Sequence, residues 1–129
     1  MEPRLVRFEG FERIHLVADV WGDDGDWPVL LMHGGGQSRH AWGNTAEALA
    51  RSGWRAVSLD LRGHGDSETT PFYAFGHFVL DLYNFIRALR VQKPVLVGHS
   101  MGGEVVGNYC GYFAAVPARI VIIEGLGPP

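Results

Sequence analysis

One ten-residue segment constrains the fold of this chain more than any other. Residues 94–103 read PVLVGHSMGG, an apolar run that stops at Ser100 with Gly98 and Gly102 two positions to either side. The apolar run predicts a buried strand and the residues after Ser100 predict a helix, so the serine falls on a very tight turn. Side chains at the two glycine positions would collide in such a turn. The segment therefore predicts an exposed nucleophile with the backbone N–H of Met101 beside it, a geometry suited to acyl transfer.

The order of the predicted elements favours an α/β fold. Alternating and continuous apolar runs predict an opening hairpin and then strands that alternate with helices. Asn44, with Glu47 three residues later, predicts an N-cap and capping box for the first helix. Strands alternating with helices imply a mostly parallel sheet with helices on both faces, in one domain over residues 1–129. The predicted strands are residues 5–8, 13–21, 29–32, 54–59, 95–97 and 120–123, and the predicted helices are residues 44–53, 75–89 and 102–113.

Composition and charge narrow the classes of function. The chain has 129 residues, 47% of them hydrophobic, and a formal net charge of −3. It carries no basic footprint for nucleic acid, no apolar stretch long enough to cross a bilayer, and no apolar region of a secretory signal. The single cysteine, Cys110, excludes an internal disulfide and suits a reducing cytoplasm, where we expect the protein to reside. The histidines and carboxylates show no metal-ligand spacing, so we expect no metal and no cofactor.

Two further loops follow predicted strands, at the strand ends where ligand sites collect in open α/β sheets. The first reads HGGGQ from His33, and the second reads DLRGHGDS from Asp60. The glycine run of the first loop is not a Walker-type phosphate loop, because no Gly-Lys-Ser/Thr follows it. For Asp60 and Arg62, we favour an internal ion pair or hydrogen bonds that shape the loop over a catalytic role.

In their order and separation, the H-G-G-G loop, the D-x-R-G-x-G-x-S loop and the G-x-S-x-G turn resemble those of the α/β-hydrolase superfamily, in its serine esterase and lipase branch. The resemblance covers nearly the whole chain but only the N-terminal half of the family's fold. It implies that Ser100 is the nucleophile and that the oxyanion hole uses the N–H of Met101 and a second N–H from the first loop. Gly35 is the better candidate for that second donor, and Gly36 is the less favoured one. His33 is expected to brace the loop by hydrogen bonding.

The resemblance also implies catalytic groups that the sequence does not supply. The family's chain order is Ser, then Asp or Glu, then His, whereas all 6 histidines here precede Ser100. Glu124 matches a position that some members use for the acid, but it has no histidine to orient. We therefore expect Ser100 to be a poor nucleophile in this chain. We also expect the chain to be a truncated product, a partial reading frame or a fragment, with a fold that is incomplete at the C-terminus.

Two functions remain open from the sequence. The first is a serine hydrolase that cleaves a carboxylic ester or related acyl bond of a small molecule through an acyl-enzyme. Family members that act on epoxides or haloalkanes resemble the chain less, because they use aspartate, whereas cofactor-free haloperoxidases and C–C bond hydrolases keep serine. The alternative is a non-catalytic protein of the same fold that binds a ligand or partner. The residues expected to surround a small or apolar acyl group are Trp42, Phe72, Tyr73, Phe75 and Met101.

The predicted last strand has a consequence for association. The residues from Ile120 to Ile123 are all apolar, and no further predicted element follows to cover them. A bare apolar strand edge favours pairing with another chain. We therefore expect self-association through this edge.

Overall fold

Over the residues that the structure describes, the architecture is a six-stranded sheet with helices packed on both faces, as the sequence predicts. A computed structural model describes residues 1–71, 74–113 and 117–123. The strands are β1 (Arg4–Glu9), β2 (His15–Trp21), β3 (Trp27–Met32), β4 (Trp54–Asp60), β5 (Val95–His99) and β6 (Arg119–Ile123). The helices are α1 (Gly43–Arg51), α2 (Phe75–Leu89) and α3 (Met101–Tyr112), with short 3-10 helices at Phe11–Arg13 and Arg39–Trp42. None of the helices in these ranges is both long and apolar enough to cross a membrane.

The sheet is antiparallel at its start and parallel through its centre. The strand order is β1-β2-β4-β3-β5-β6. The pairs β1–β2 and β2–β4 are antiparallel, whereas β3–β4, β3–β5 and β5–β6 are parallel. The opening hairpin and the mostly parallel sheet predicted from the sequence are therefore confirmed. Because β3, β4 and β5 run in one direction, the loops after them meet at the same edge of the sheet.

The larger core lies between the sheet and the helices α2 and α3. Leu30 and Leu96 of the central strands are fully buried there, against Phe85 of α2 and Val105 of α3. The helical spacing of apolar residues predicts α2 with the bounds that the structure shows, Phe75–Leu89. This agreement follows from the wide apolar stripe of α2, which faces the core along the whole helix.

The smaller core lies on the opposite face, under α1. Val29 and Leu31 of β3 point into it, because side chains alternate between the two faces of a strand. Ala46 of α1 closes it, and Trp42 packs against it from the preceding 3-10 helix. The structure thus gives Trp42 a packing role, and its expected place around an acyl group stays a prediction. Phe72 and Tyr73, expected beside it, lie outside the described residues.

The predicted cap of α1 is wrong. The helix begins at Gly43, and no side-chain cap is formed at its start. The reason is that the 3-10 helix Arg39–Trp42 runs directly into α1, so Asn44 already lies inside the helix. The cap stands one element earlier, where the hydroxyl of Ser38 accepts a hydrogen bond from the His40 N–H at 3.3 Å.

Strand β6 is the least covered part of the described sheet. It pairs with β5 on one side, from Val95 opposite Arg119 to His99 opposite Ile123. No strand of the described ranges pairs with its other side. Its four apolar side chains, from Ile120 to Ile123, are each 43–45% exposed. Since successive residues point to opposite faces, both faces of this strand are open.

Candidate functional site

The turn between β5 and α3 places Ser100 in a strained conformation. Its backbone has φ 54° and ψ −115°, in the positive-φ region that non-glycine residues seldom occupy. Such residues cost on the order of 1–3 kcal/mol each and concentrate at functional sites. Two backbone hydrogen bonds hold the turn: the Ser100 N–H donates to the Ile123 carbonyl at 2.9 Å, and the Glu104 N–H donates to the Ser100 carbonyl at 3.1 Å. The elbow is therefore fixed by both β6 and α3.

The glycines around Ser100 are required for steric reasons, as the sequence predicts. A Cβ on Gly98 would run into the backbone of Gly102 and Gly103. A Cβ on Gly102 would run into the backbone of Met32 and His33, at the end of β3. The turn is thus compact enough to bring the start of α3 against the neighbouring strand, and no side chain larger than hydrogen fits at either position.

The Ser100 side chain projects from this turn into solvent, and Ser100 is exposed. Within the described ranges its hydroxyl has no hydrogen-bond partner. Met101 is the first residue of α3, so its N–H belongs to the first turn of N–H groups that a helix leaves without an intrahelical acceptor. The positive end of the α3 dipole reinforces this donor. The elbow therefore offers an oxygen nucleophile and an N–H donor on adjacent residues.

The loop after β3 forms a tight turn beside the elbow. The Gln37 N–H donates to the Gly34 carbonyl at 3.1 Å, and Gly36 has φ +77°, which favours glycine. The Gly34 N–H is already used, because it donates to the side-chain oxygen of Gln37 at 2.9 Å. Gly35 lies beside the side chain of Met101, since a Cβ on Gly35 would be 3.5 Å from the Met101 sulfur. These contacts favour Gly35 over Gly34 as a free N–H next to Met101.

The buried side chain of His33 contacts the backbone of the same loop. It is fully buried, and its Nδ1 lies 2.7 Å from the Gly34 carbonyl. The Leu61 N–H donates to its Nε2 at 3.0 Å, which requires an unprotonated Nε2 and places the proton on Nδ1. Burial lowers the pKa of His33, and the nearby His64 lowers it further. The ring is therefore a neutral brace between the loops after β3 and β4, which is the role expected from the sequence.

A buried arginine, Arg39, lies in the 3-10 helix before α1 and joins that helix to the loop after β4. Its Nη1 donates to Asp60 at 2.5 Å and to Asp66 at 2.8 Å, and its Nε lies 3.1 Å from Asp19. Burial opposes its charge, but the bonds to Asp66, Asp60 and Asp19 outweigh burial and raise the pKa of the guanidinium. Sequence reasoning missed Arg39, because its three partners come from distant parts of the chain. Its position beside the HGGGQ loop was the available signal.

Arg62 forms a second buried ion pair, with Asp81 of α2. Its Nε and Nη2 donate to the two carboxylate oxygens at 2.6 and 2.8 Å. Asp60 and Arg62 are thus both in ion pairs that shape the loop, which agrees with the structural role favoured from the sequence. Each of them pairs with a residue of another element. The sequence-predicted loop residues therefore support the site and do not enter it.

The described residues bring together Ser100, Met101 and Gly35, and they place no histidine ring in hydrogen-bond contact with the serine. Glu124, the position that some family members use for the acid, lies outside the described residues. Glu104, one helical turn from Ser100, is exposed. In the described part of the chain, no group of three or more His, Cys, Asp or Glu side chains could hold a metal ion.

Comparisons with known proteins identify the family of this chain. A family model described as alpha/beta hydrolase fold matches residues 28–128. A serine hydrolase-like protein of Danio rerio is 34% identical over 87% of this chain and 35% of its own length. The sn-1-specific diacylglycerol lipase ABHD11 of Danio rerio is 34% identical over 86% of this chain and 36% of its own length.

A solved structure shares the architecture. The crystal structure of an epoxide hydrolase from Vigna radiata superposes with a TM-score of 0.90 at 28% identity, covering 99% of this chain and 42% of that chain. This chain therefore spans between 35% and 42% of the length of these three proteins.

Proposed function

This chain belongs to the α/β-hydrolase family, and from that membership we propose that it carries the nucleophile and the oxyanion hole of a serine hydrolase. The observation that carries the proposal is the conformation of Ser100, with φ 54° between two sterically required glycines. An ordinary helix-capping serine needs neither the positive φ nor the glycines. A protein that only binds a ligand has no use for this strain, so the enzyme is favoured over the binding-protein alternative.

The proposed reaction is acyl transfer. Ser100 Oγ attacks the carbonyl carbon of an ester or related acyl substrate, a C–O bond forms, and the carbonyl oxygen takes the negative charge. The N–H groups of Met101 and Gly35 donate to this oxyanion. Collapse of the intermediate breaks the bond to the leaving alcohol, which departs with the proton first held by Ser100. Water then hydrolyses the acyl-enzyme and regenerates the serine.

Proton transfer requires a general base that Ser100 does not have among the described residues. In the family's order a histidine after the nucleophile takes this role, with an acid to orient it. All 6 histidines of this sequence precede Ser100. No histidine of this sequence stands at the family's base position, so we expect the 129-residue chain alone to react slowly.

The identity of the nucleophile supports an acyl substrate over an epoxide or a haloalkane. The family members that open epoxides use aspartate, whereas this chain has Ser100 at the elbow. The lipase among its relatives is named for an acyl-ester substrate, and the same chemistry fits a serine flanked by two N–H donors. We therefore propose a small-molecule ester or related acyl compound as the substrate.

Covalent labelling tests this function. A fluorophosphonate probe is incubated with the chain and with the product of the complete reading frame in which this sequence lies, and mass spectrometry locates the label. We expect labelling at Ser100 where a downstream acid and histidine are present, and none in Ser100→Ala. The exposed Ser52→Ala variant is a matched control and should label normally. Absence of labelling in every form would refute the hydrolase and support the binding-protein alternative.

A further inference from the structure

Gln37 connects the glycine loop to the elbow through one atom. Its side-chain oxygen accepts the Gly34 N–H at 2.9 Å, and the Nδ1 of His99 lies 3.4 Å from the same oxygen. The backbone of Gln37 closes on Gly34 as well, because its N–H donates to the Gly34 carbonyl at 3.1 Å. One residue therefore binds both polar backbone groups of Gly34 and also contacts the residue before Ser100.

The space around Gly34 shows how closely the loop lies on the elbow. A Cβ on Gly34 would be 2.9 Å from the Gln37 oxygen, 3.1 Å from Nδ1 of His99 and 3.4 Å from Cβ of Ser100. The loop after β3 and the turn after β5 are therefore in contact at this point. Gly34 immediately precedes Gly35, so the position of Gly34 fixes where the Gly35 N–H points.

An oxyanion hole works only when its donors stand at about 2.7–3.1 Å from the position that the oxyanion will occupy. One donor, Met101, is fixed by α3. The other, Gly35, lies on an exposed loop whose glycines have few conformational restraints. The bond from Gly34 to Gln37 removes that freedom and also removes the competing Gly34 N–H from the site.

We propose that Gln37 is a positioning residue, which clamps Gly34 against His99 and thereby sets the Gly35 N–H in register with the Met101 N–H. This inference rests on the proposed hydrolase function of Ser100. Its chemical requirement is an acceptor oxygen at the end of the residue 37 side chain. Two variants separate that requirement from side-chain size: Gln37→Leu removes the acceptor, and Gln37→Glu keeps it.

The first measurement is hydrogen exchange of the Gly34 amide, followed by NMR on the 129-residue chain. Gln37→Leu should raise its exchange rate by roughly three- to tenfold, the equivalent of one hydrogen bond. Gln37→Glu should restore slow exchange. The exposed Gln92→Leu variant makes the same chemical change away from the site and serves as the control. Unchanged exchange in Gln37→Leu would overturn the proposal, whether or not Ser100 reacts.

The second measurement is the rate of fluorophosphonate labelling at Ser100, in the form of the protein that labels. Gln37→Leu should lower the maximal labelling rate by about tenfold with little change in probe affinity, because the lost donor acts in the transition state. Gln37→Glu should label faster than Gln37→Leu, although its carboxylate charge opposes the oxyanion. Equal rates in all three, or no rescue by glutamate, would overturn the positioning role. If the unaltered protein does not label, the hydrolase function fails together with this role, and the exchange measurement alone decides whether the clamp exists.

Discussion

Replacing Asp81 by leucine tests the buried ion pair that holds the loop after β4. Arg62 and Asp81 are each 1% exposed, and they are joined by two hydrogen bonds of 2.6 and 2.8 Å. The pair also fixes the first 3-10 helix: the Phe11 N–H donates to Asp81 at 2.8 Å, and Arg62 donates to the Phe11 carbonyl at 3.1 Å. Asp81→Leu therefore leaves both a guanidinium and a backbone N–H without their partner.

The expected loss follows from these contacts. Removing one member of a buried ion pair costs about 3–5 kcal/mol, because the other charge stays buried. The orphaned Phe11 N–H adds roughly 1–3 kcal/mol. The free energy of unfolding of a whole domain is about 5–15 kcal/mol, so we expect Asp81→Leu to lose most of it. The double variant Arg62→Met/Asp81→Leu should recover part of the loss, since no unpaired charge remains.

Urea unfolding, followed by the fluorescence of the 4 tryptophans, measures these losses at neutral pH. The exposed pair between Arg51 and Glu47 of α1 provides the control, because Arg51→Met removes an ion pair without burying a charge. Its unfolding midpoint should stay close to the unaltered value. An Asp81→Leu midpoint equal to that of the control, or a double variant no more stable than Asp81→Leu alone, would contradict the assignment of a buried ion pair to Arg62 and Asp81.

Three further predictions follow from the elbow, the brace and the edge. Gly98→Ala should lower the free energy of unfolding by at least about 2 kcal/mol, since the new Cβ would meet backbone atoms. The control Gly111→Ala, in open space on α3, should raise that free energy slightly. Equal urea midpoints for the two variants would contradict this prediction. The pKa of His33 in the folded chain lies below its ordinary value of 6.5, so on acidification the unfolded chain binds a proton at this histidine first. The contribution of His33 to the free energy of unfolding is therefore complete above about pH 6.5 and declines as the pH falls below that value. His33→Gln should flatten that part of the pH profile of unfolding, and His15→Gln, at an exposed histidine, should not. In the isolated chain, Val121→Lys should convert self-associated species to monomer in light scattering, because a charge on an open strand edge opposes pairing; a monodisperse monomer without the substitution would argue against association through β6.

The relatives of this chain show why its fold alone does not give its chemistry. A lipase is 34% identical to this chain, and an epoxide hydrolase superposes on it with a TM-score of 0.90, so proteins named for different reactions resemble the same chain. What distinguishes the candidates is the atom at the elbow and the N–H groups beside it. The proposed acyl chemistry requires a reactive Ser100, and labelling of Ser100 tests that requirement.

Local features were predictable wherever their cause lies within a few residues. The elbow follows from the steric needs of Gly98 and Gly102, and α2 follows from the spacing of its apolar side chains. The predicted cap at Asn44 is the exception, because its cause is also local and the prediction was still wrong. A 3-10 helix just before it begins the helical segment earlier, and the sequence around residues 39–42 carries no strong signal for that turn.

The order of the elements, the tight turn at Ser100 and the family resemblance could all be predicted from the amino acids alone, because periodicity and glycine sterics act over short distances. Tertiary structure alone decided the partners. Arg39 meets Asp60, and Arg62 meets Asp81, across separations that no local pattern encodes. The same holds for Gln37, whose oxygen takes the Gly34 N–H and leaves Gly35 beside Met101. A hydrogen bond is satisfied by whichever group the fold brings near, so the side chains that shape this site became visible once the strands were paired.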